Sequence, residues 1–135
     1  MKQDIINETP NLNDAGKQAL PVVFNILDKW QCDQANQMKL LGLTNRSTLT
    51  KYRAQPDKAK VSRDLLERMS YLFNIHKSLR VIFSHEDSVY NWVNKPNSHP
   101  FFGGRSAMEV MTQGNVINLY EVASRMDAFR GGRSL

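Results

Sequence analysis

The run 46–54, RSTLTKYRA, gathers hydroxyls, guanidinium groups and an ammonium with no acid among them. If it is helical, Leu49 and Tyr52, three apart, turn inward. Arg46, Ser47, Thr48, Thr50, Lys51 and Arg53 then remain for the outer surface. Such groups donate to phosphate oxygens and read base edges in a major groove. A second concentration of usable chemistry lies in 97–132, NSHPFFGGRSAMEVMTQGNVINLYEVASRMDAFRGG. It opens on a turn cluster, Pro96, Pro100, Gly103 and Gly104, followed by Arg105. It closes on Arg130, Gly131, Gly132 and Arg133, where two guanidinium groups beside a helix stop could pair with carboxylates of a partner.

Catalytic chemistry finds little to hold. His76, His85 and His99 have no nucleophile or carboxylate partner by motif and are assigned structural or surface roles. Glu109 and Glu121 fall on different expected helices and carry no acid–base assignment. Gly103-Gly104-Arg105 lacks the spacing of a P-loop or a dinucleotide fingerprint and reads as a turn. A single cysteine, Cys32, cannot form an internal disulfide, and no Cys/His spacing suggests zinc. The expectation is a protein that is not an enzyme and uses no metal or cofactor.

The net charge of +5 sits in the middle of the chain. Residues 29–80 hold eleven Lys and Arg against four acids, a net of +7, while 1–28 carry −2 and 81–135 balance. That is the footprint of a nucleic-acid-binding unit followed by a neutral partner-binding unit. A solvated basic surface would give the same count. No apolar run approaches the ~18 residues of a membrane span, and the N-terminus has no apolar signal region. A cytoplasmic protein is expected.

These groups need elements to position them. Residues 1–14 are polar without periodicity and read as a loose arm, with Asn13 or Asp14 available as a cap. Leu20, Val23, Phe24, Leu27 and Trp30 place a helix over 17–30, with Pro21 near its first turn. Asp33 caps a short helix over 34–41, and Gly42 stops it. A turn at 43–45 leads into the helix 46–54. Helix, glycine-containing turn, helix is the helix-turn-helix pattern, and its second helix carries the polar face described above. Ser62 caps a helix over 62–73 that Asn74 ends, and another runs 75–83. Ser84 and Asp87 have capping-box spacing for a helix through Val93. Beyond the turn cluster, Val116, Leu119, Val122, Ala123, Met126 and Phe129 mark one face of a final helix, ended by Gly131 and Gly132 as left-handed stops. No strand-like alternation occurs, so the fold class is all-α.

The runs PNSHPFFGGRSAMEVM and ASRMDAFRGG resemble the C-terminal toxin-binding module of the Xre/MbcA/ParS antitoxins in order, spacing and terminal position. One departure is Ala107, where many members carry Pro; alanine suits a helix start as well. The resemblance implies an arm at 1–14, an Xre-like helix-turn-helix domain at 15–84 and a toxin-binding domain at 85–135. It implies an antitoxin of a type II toxin–antitoxin system that blocks a RES-type, NAD-consuming toxin and binds operator DNA for autorepression, acting as a homodimer. The positions matching the binding motif are Gly104, Arg105, Ser106, Asp127, Phe129, Arg130, Gly131 and Gly132, with Arg133 beside them. The alternative is a stand-alone helix-turn-helix transcriptional regulator that dimerises through its C-terminal half.

Overall fold

A computed structural model describes residues 11–131. Among them all regular structure is helical, without strands: α1 (Leu12–Lys29), α2 (Gln34–Leu41), α3 (Arg46–Ala54), α4 (Arg63–Ile82), α5 (Glu86–Asn91), α6 (Ala107–Met111) and α7 (Val116–Arg130), with 3₁₀ turns at Pro56–Lys58 and Trp92–Asn94. The all-α expectation holds.

Helix α1 starts earlier than the apolar spacing suggests. Its cap is Asn11, whose Oδ1 accepts from the amides of Asn13 (3.0 Å) and Asp14 (3.3 Å). Asn13 is spent elsewhere: its Oδ1 takes the amide of Val61 at 2.9 Å. Residues 12–14 are therefore helix rather than arm, and Pro21 lies in the helix interior. The missing N–H of Pro21 leaves the Lys17 carbonyl without its i+4 donor. Pro21 is exposed, so that loss falls on the solvent side.

Helix α4 corrects a second expectation. Asn74 does not end a helix; one helix of 20 residues runs through it. Asparagine inside a helix costs only about 0.5 kcal/mol. Against that, Leu65, Met69, Leu72, Ile75 and Leu79 form one buried stripe across the expected break. Burying each such side chain contributes about 1.5–3 kcal/mol, so packing overrides propensity. At α5 the cap position is His85, without a side-chain cap bond, rather than Ser84.

The buried side chains form one cluster that runs from Leu20, Leu27 and Trp30 through Leu40, Leu49 and the α4 stripe to Phe102, Met111, Leu119, Val122 and Met126. Helices α4 and α7 make the most extensive helix pair, and α1 also packs on α4. Both halves of the chain are thus built on α4.

Candidate functional site

The helix-turn-helix geometry follows from local chemistry. Asp33 Oδ1 accepts from the Asn36 amide at 2.8 Å and starts α2. Gly42, at φ +68, ends it. A Cβ there would lie 2.6 Å from Nε and 2.8 Å from Cζ of Arg68, so only glycine permits the turn and the close approach together. Asn45 then caps α3, accepting from the Ser47 amide at 2.9 Å and its hydroxyl at 2.6 Å. Leu49 is buried and Tyr52 half-buried, as the spacing requires.

On the outer side, Arg46, Ser47, Thr50 and Lys51 are exposed and, with Ala54 and Gln55, line a shallow open hollow. Thr48 is half-buried beside them. The Thr50 hydroxyl donates back to the Arg46 carbonyl at 3.1 Å. Arg53 goes elsewhere. Its guanidinium bonds Asp28 at 2.8 Å and Gln37 Oε1 at 3.1 Å and lies 4.8 Å from the centre of the Phe24 ring. It clamps α3 to α1 and α2 and is not grouped with the other five. Lys58, Lys60 and Arg63 add exposed positive charge beyond α3.

The C-terminal motif folds as a closed loop and a helix end. The Asn97 amide donates to the Arg105 carbonyl at 3.1 Å, and the Gly104 amide to the Asn97 carbonyl at 2.8 Å, so 97–105 closes on itself. Gly103 (φ +60) and Gly104 (φ +90) make the reversal. Arg105 is exposed, yet its guanidinium braces the loop from inside through the carbonyls of Phe102 (2.8 Å) and Phe101 (3.0 Å). Ser106 is buried and acts as a cap: it accepts from the Glu109 amide, and Glu109 answers at the Ser106 amide, both at 3.0 Å. That S-x-x-E capping box was present in the sequence and explains Glu109 structurally.

The loop is seated on the end of α7. His99 packs edge-on against Phe129 with centroids 6.2 Å apart, and the Arg125 guanidinium lies 4.5 Å from the centre of the Phe101 ring. Arg125 carried no motif signal; its place is legible only once Phe129, four residues on, is known to share its helix face. Asp127 and Arg130 are exposed and 3.9 Å apart, a loose pair. A hollow at the helix end is lined by Ser124, Arg125, Asp127, Ala128 and Gly131. Helix α7 stops where expected, but not by a left-handed residue: Gly131 has φ −76, and its amide turns back to the Asp127 carbonyl at 3.2 Å. Gly132 and Arg133 lie outside the described residues.

Two buried or half-buried titratable groups away from these sites are shifted by their surroundings. Burial, then the nearby Asp33 and Asp28, push the Cys32 thiol up to about 12. Burial, then Arg80 and Lys29, hold the His76 imidazole below its ordinary value. Among the described residues no cluster of His, Cys, Asp or Glu could hold a metal ion, and no helix is long and apolar enough to cross a membrane.

Two regions of the chain match known families. Residues 12–74 match the family described as antitoxin Xre-like helix-turn-helix domain. Residues 78–132 match the antitoxin Xre/MbcA/ParS C-terminal toxin-binding domain. The chain is also 35% identical, over 98% of its length and 100% of the relative's, to the uncharacterised protein y4oB of Sinorhizobium fredii (strain NBRC 101917 / NGR234).

Proposed function

The chain belongs to the Xre/MbcA/ParS antitoxin family, with a helix-turn-helix domain followed by a toxin-binding domain, and from that premise we propose that it binds and blocks a RES-type, NAD-consuming toxin and represses its own operator. Neutralisation is steric: the segment 131–135 is laid over the toxin's active-site cleft, with the face of residues 97–105 and 125–131 as the dock. One observation carries this reading. Two motif pieces about twenty residues apart meet through His99–Phe129 and Phe101–Arg125. They leave Arg105 exposed on the loop and Arg125 and Arg130 exposed on the last two turns of α7, ahead of 131–135 in the chain. Arg130 and Arg133 pair with toxin carboxylates.

On the DNA side, Arg46, Ser47, Thr50 and Lys51 enter the major groove, Thr48 supports them, and Lys58, Lys60 and Arg63 meet phosphates. Arg53 positions the helix rather than reading bases. The functional division runs from the helix-turn-helix unit to the toxin-binding unit, and the working species is a homodimer.

The test is co-expression of the tagged chain with the product of the adjacent gene. We expect one complex, lost when residues 131–135 are deleted, with binding to a duplex of the chain's own promoter retained. A second reading has one observation in its favour: Ile117 and Tyr120 on α7 are 53% and 49% exposed, Tyr120 edge-on to Tyr71, and could serve a second copy. A chain that purifies alone, as a dimer shifting promoter DNA, makes it the stand-alone regulator.

A further inference from the structure

Among the described residues the one buried charged side chain is Arg68, at 7% exposure. It stands on α4, near the start of the helix both domains share. Its three hydrogen bonds go to three separate elements. Nε meets Asp64 Oδ2 at 2.9 Å on the same helix. One terminal nitrogen donates to the Lys39 carbonyl of α2 at 3.1 Å. The other donates to the Gly114 carbonyl, in the turn between α6 and α7, at 3.2 Å. The first carbonyl belongs to the helix that supports the DNA-facing helix, three residues before the turn at Gly42. The second precedes α7, whose far end is the proposed toxin dock.

A guanidinium is planar, and its donors keep a fixed fork. It cannot follow one carbonyl without leaving the other. Gly42 restricts it further, because the Arg68 side chain fills the space against that glycine. Helix α7 is 15 residues long, about 22 Å at the usual rise, and transmits a tilt at its C-terminal end to the turn at Gly114. A partner that tilts α7 therefore strains the bond to Gly114 or drags the fork against Lys39 and Gly42.

We infer that Arg68 is the positioning residue that couples the two binding sites: occupation of the C-terminal dock changes the affinity of α3 for DNA, and the change passes through its guanidinium. This rests on the functional reading above. By linkage, DNA changes the affinity for the partner by the same factor.

The test is a binding cycle. Affinity for the promoter duplex is measured with and without the adjacent-gene protein, for the unaltered chain, Arg68→Met and Arg68→Lys. Met keeps the stem; Lys keeps the charge but not the fork. The unaltered chain should show at least about a five-fold ratio between the two affinities, the lower end of ordinary coupling. Both variants should fall below about two-fold. A merely structural arginine would weaken either affinity and leave the ratio in place, which would overturn the inference. So would a ratio of one in the unaltered chain, with both bindings intact. If Arg68→Met does not fold, Arg68→Lys decides. Failure of the unaltered chain to bind the duplex or the adjacent-gene protein would instead sink the functional reading, and this inference with it.

Discussion

Gly42→Ala should be far more damaging than an equivalent change at Gly103, although both glycines are left-handed, at φ +68 and φ +60. At Gly103 the nearest atom to an added Cβ is the Pro100 carbonyl oxygen at 3.9 Å. Only the left-handed penalty applies there, about 1–2 kcal/mol. At Gly42 the same Cβ would sit 2.6 Å from Arg68 Nε, 2.8 Å from Cζ and 2.9 Å from Asp64 Oδ2. The guanidinium cannot swing away freely, because it is tied to the carbonyls of Lys39 and Gly114. Giving up even one charge-assisted bond adds about 1.5–3 kcal/mol. We expect a loss of about 3–5 kcal/mol for Gly42→Ala. At about 3–5 °C per kcal/mol for a chain of this size, that lowers Tm by about 10–20 °C, against about 5 °C for Gly103→Ala. Urea unfolding followed by circular dichroism measures both. The double change Gly42→Ala with Arg68→Ala should cost less than the sum of its parts, since the clash then has no second party. If the two glycine variants lose stability within about 1 kcal/mol of each other, or the double variant is additive, the packing argument at this turn is wrong.

Replacing Arg46 and Lys51 together with Ala should weaken promoter binding several-fold or more in a gel shift at about 0.1 M salt, with stability changed by about 0.5 kcal/mol or less, since both are exposed. Arg53→Ala should do the reverse, costing about 1 kcal/mol of stability through its partly exposed pair with Asp28 and its stacking on Phe24; a large affinity loss without destabilisation would put Arg53 back among the readers. The lowered pKa of His76 means the unfolded chain takes up that proton more readily than the folded one. Its contribution is full above the ordinary imidazole value of 6.5 and is lost as pH falls through the window between 6.5 and the lowered folded value. His76→Gln should flatten that part of the pH dependence, and an unchanged slope counts against the assignment. Cys32, with its thiol pushed up to about 12, should resist iodoacetamide at pH 8 while folded and react on unfolding; rapid labelling of the native chain would contradict its burial.

The short helices around the turn at Gly42 were legible because each is bounded by a residue with one strong local preference. Asp33, Gly42 and Asn45 are such residues, and α2 and α3 keep their expected bounds. Boundaries set by distant contacts were not. Asn74 has the propensity of a stop, but the stripe from Leu65 to Leu79 buries across it. Asn13 looked like a cap until Val61 arrived to claim its oxygen. The candidate site shows the same split. Exposure of Arg46, Ser47, Thr50 and Lys51 follows from helix period alone. The capture of Arg53 by Asp28, Gln37 and Phe24 depends on elements 16 and more residues away, which no local pattern contains. Likewise, the two C-terminal motif pieces could be found by resemblance, but the contacts through His99, Phe101 and Arg125 that join them could not.

The shared helix α4 also governs how such proteins can be recombined. The regions matching the two families meet between residues 74 and 78, inside a continuous helix rather than in a linker. A chimera joining this N-terminal unit to a relative's C-terminal unit must therefore preserve helical register at the graft. One inserted residue would rotate the toxin-binding unit by about 100° about the α4 axis and translate it about 1.5 Å. That would break the fit of the shared core. A flexible linker would tolerate length change at this boundary; a helix of this kind turns each insertion or deletion into a change of geometry. Exchange of toxin specificity among relatives should accordingly favour fusions of conserved length.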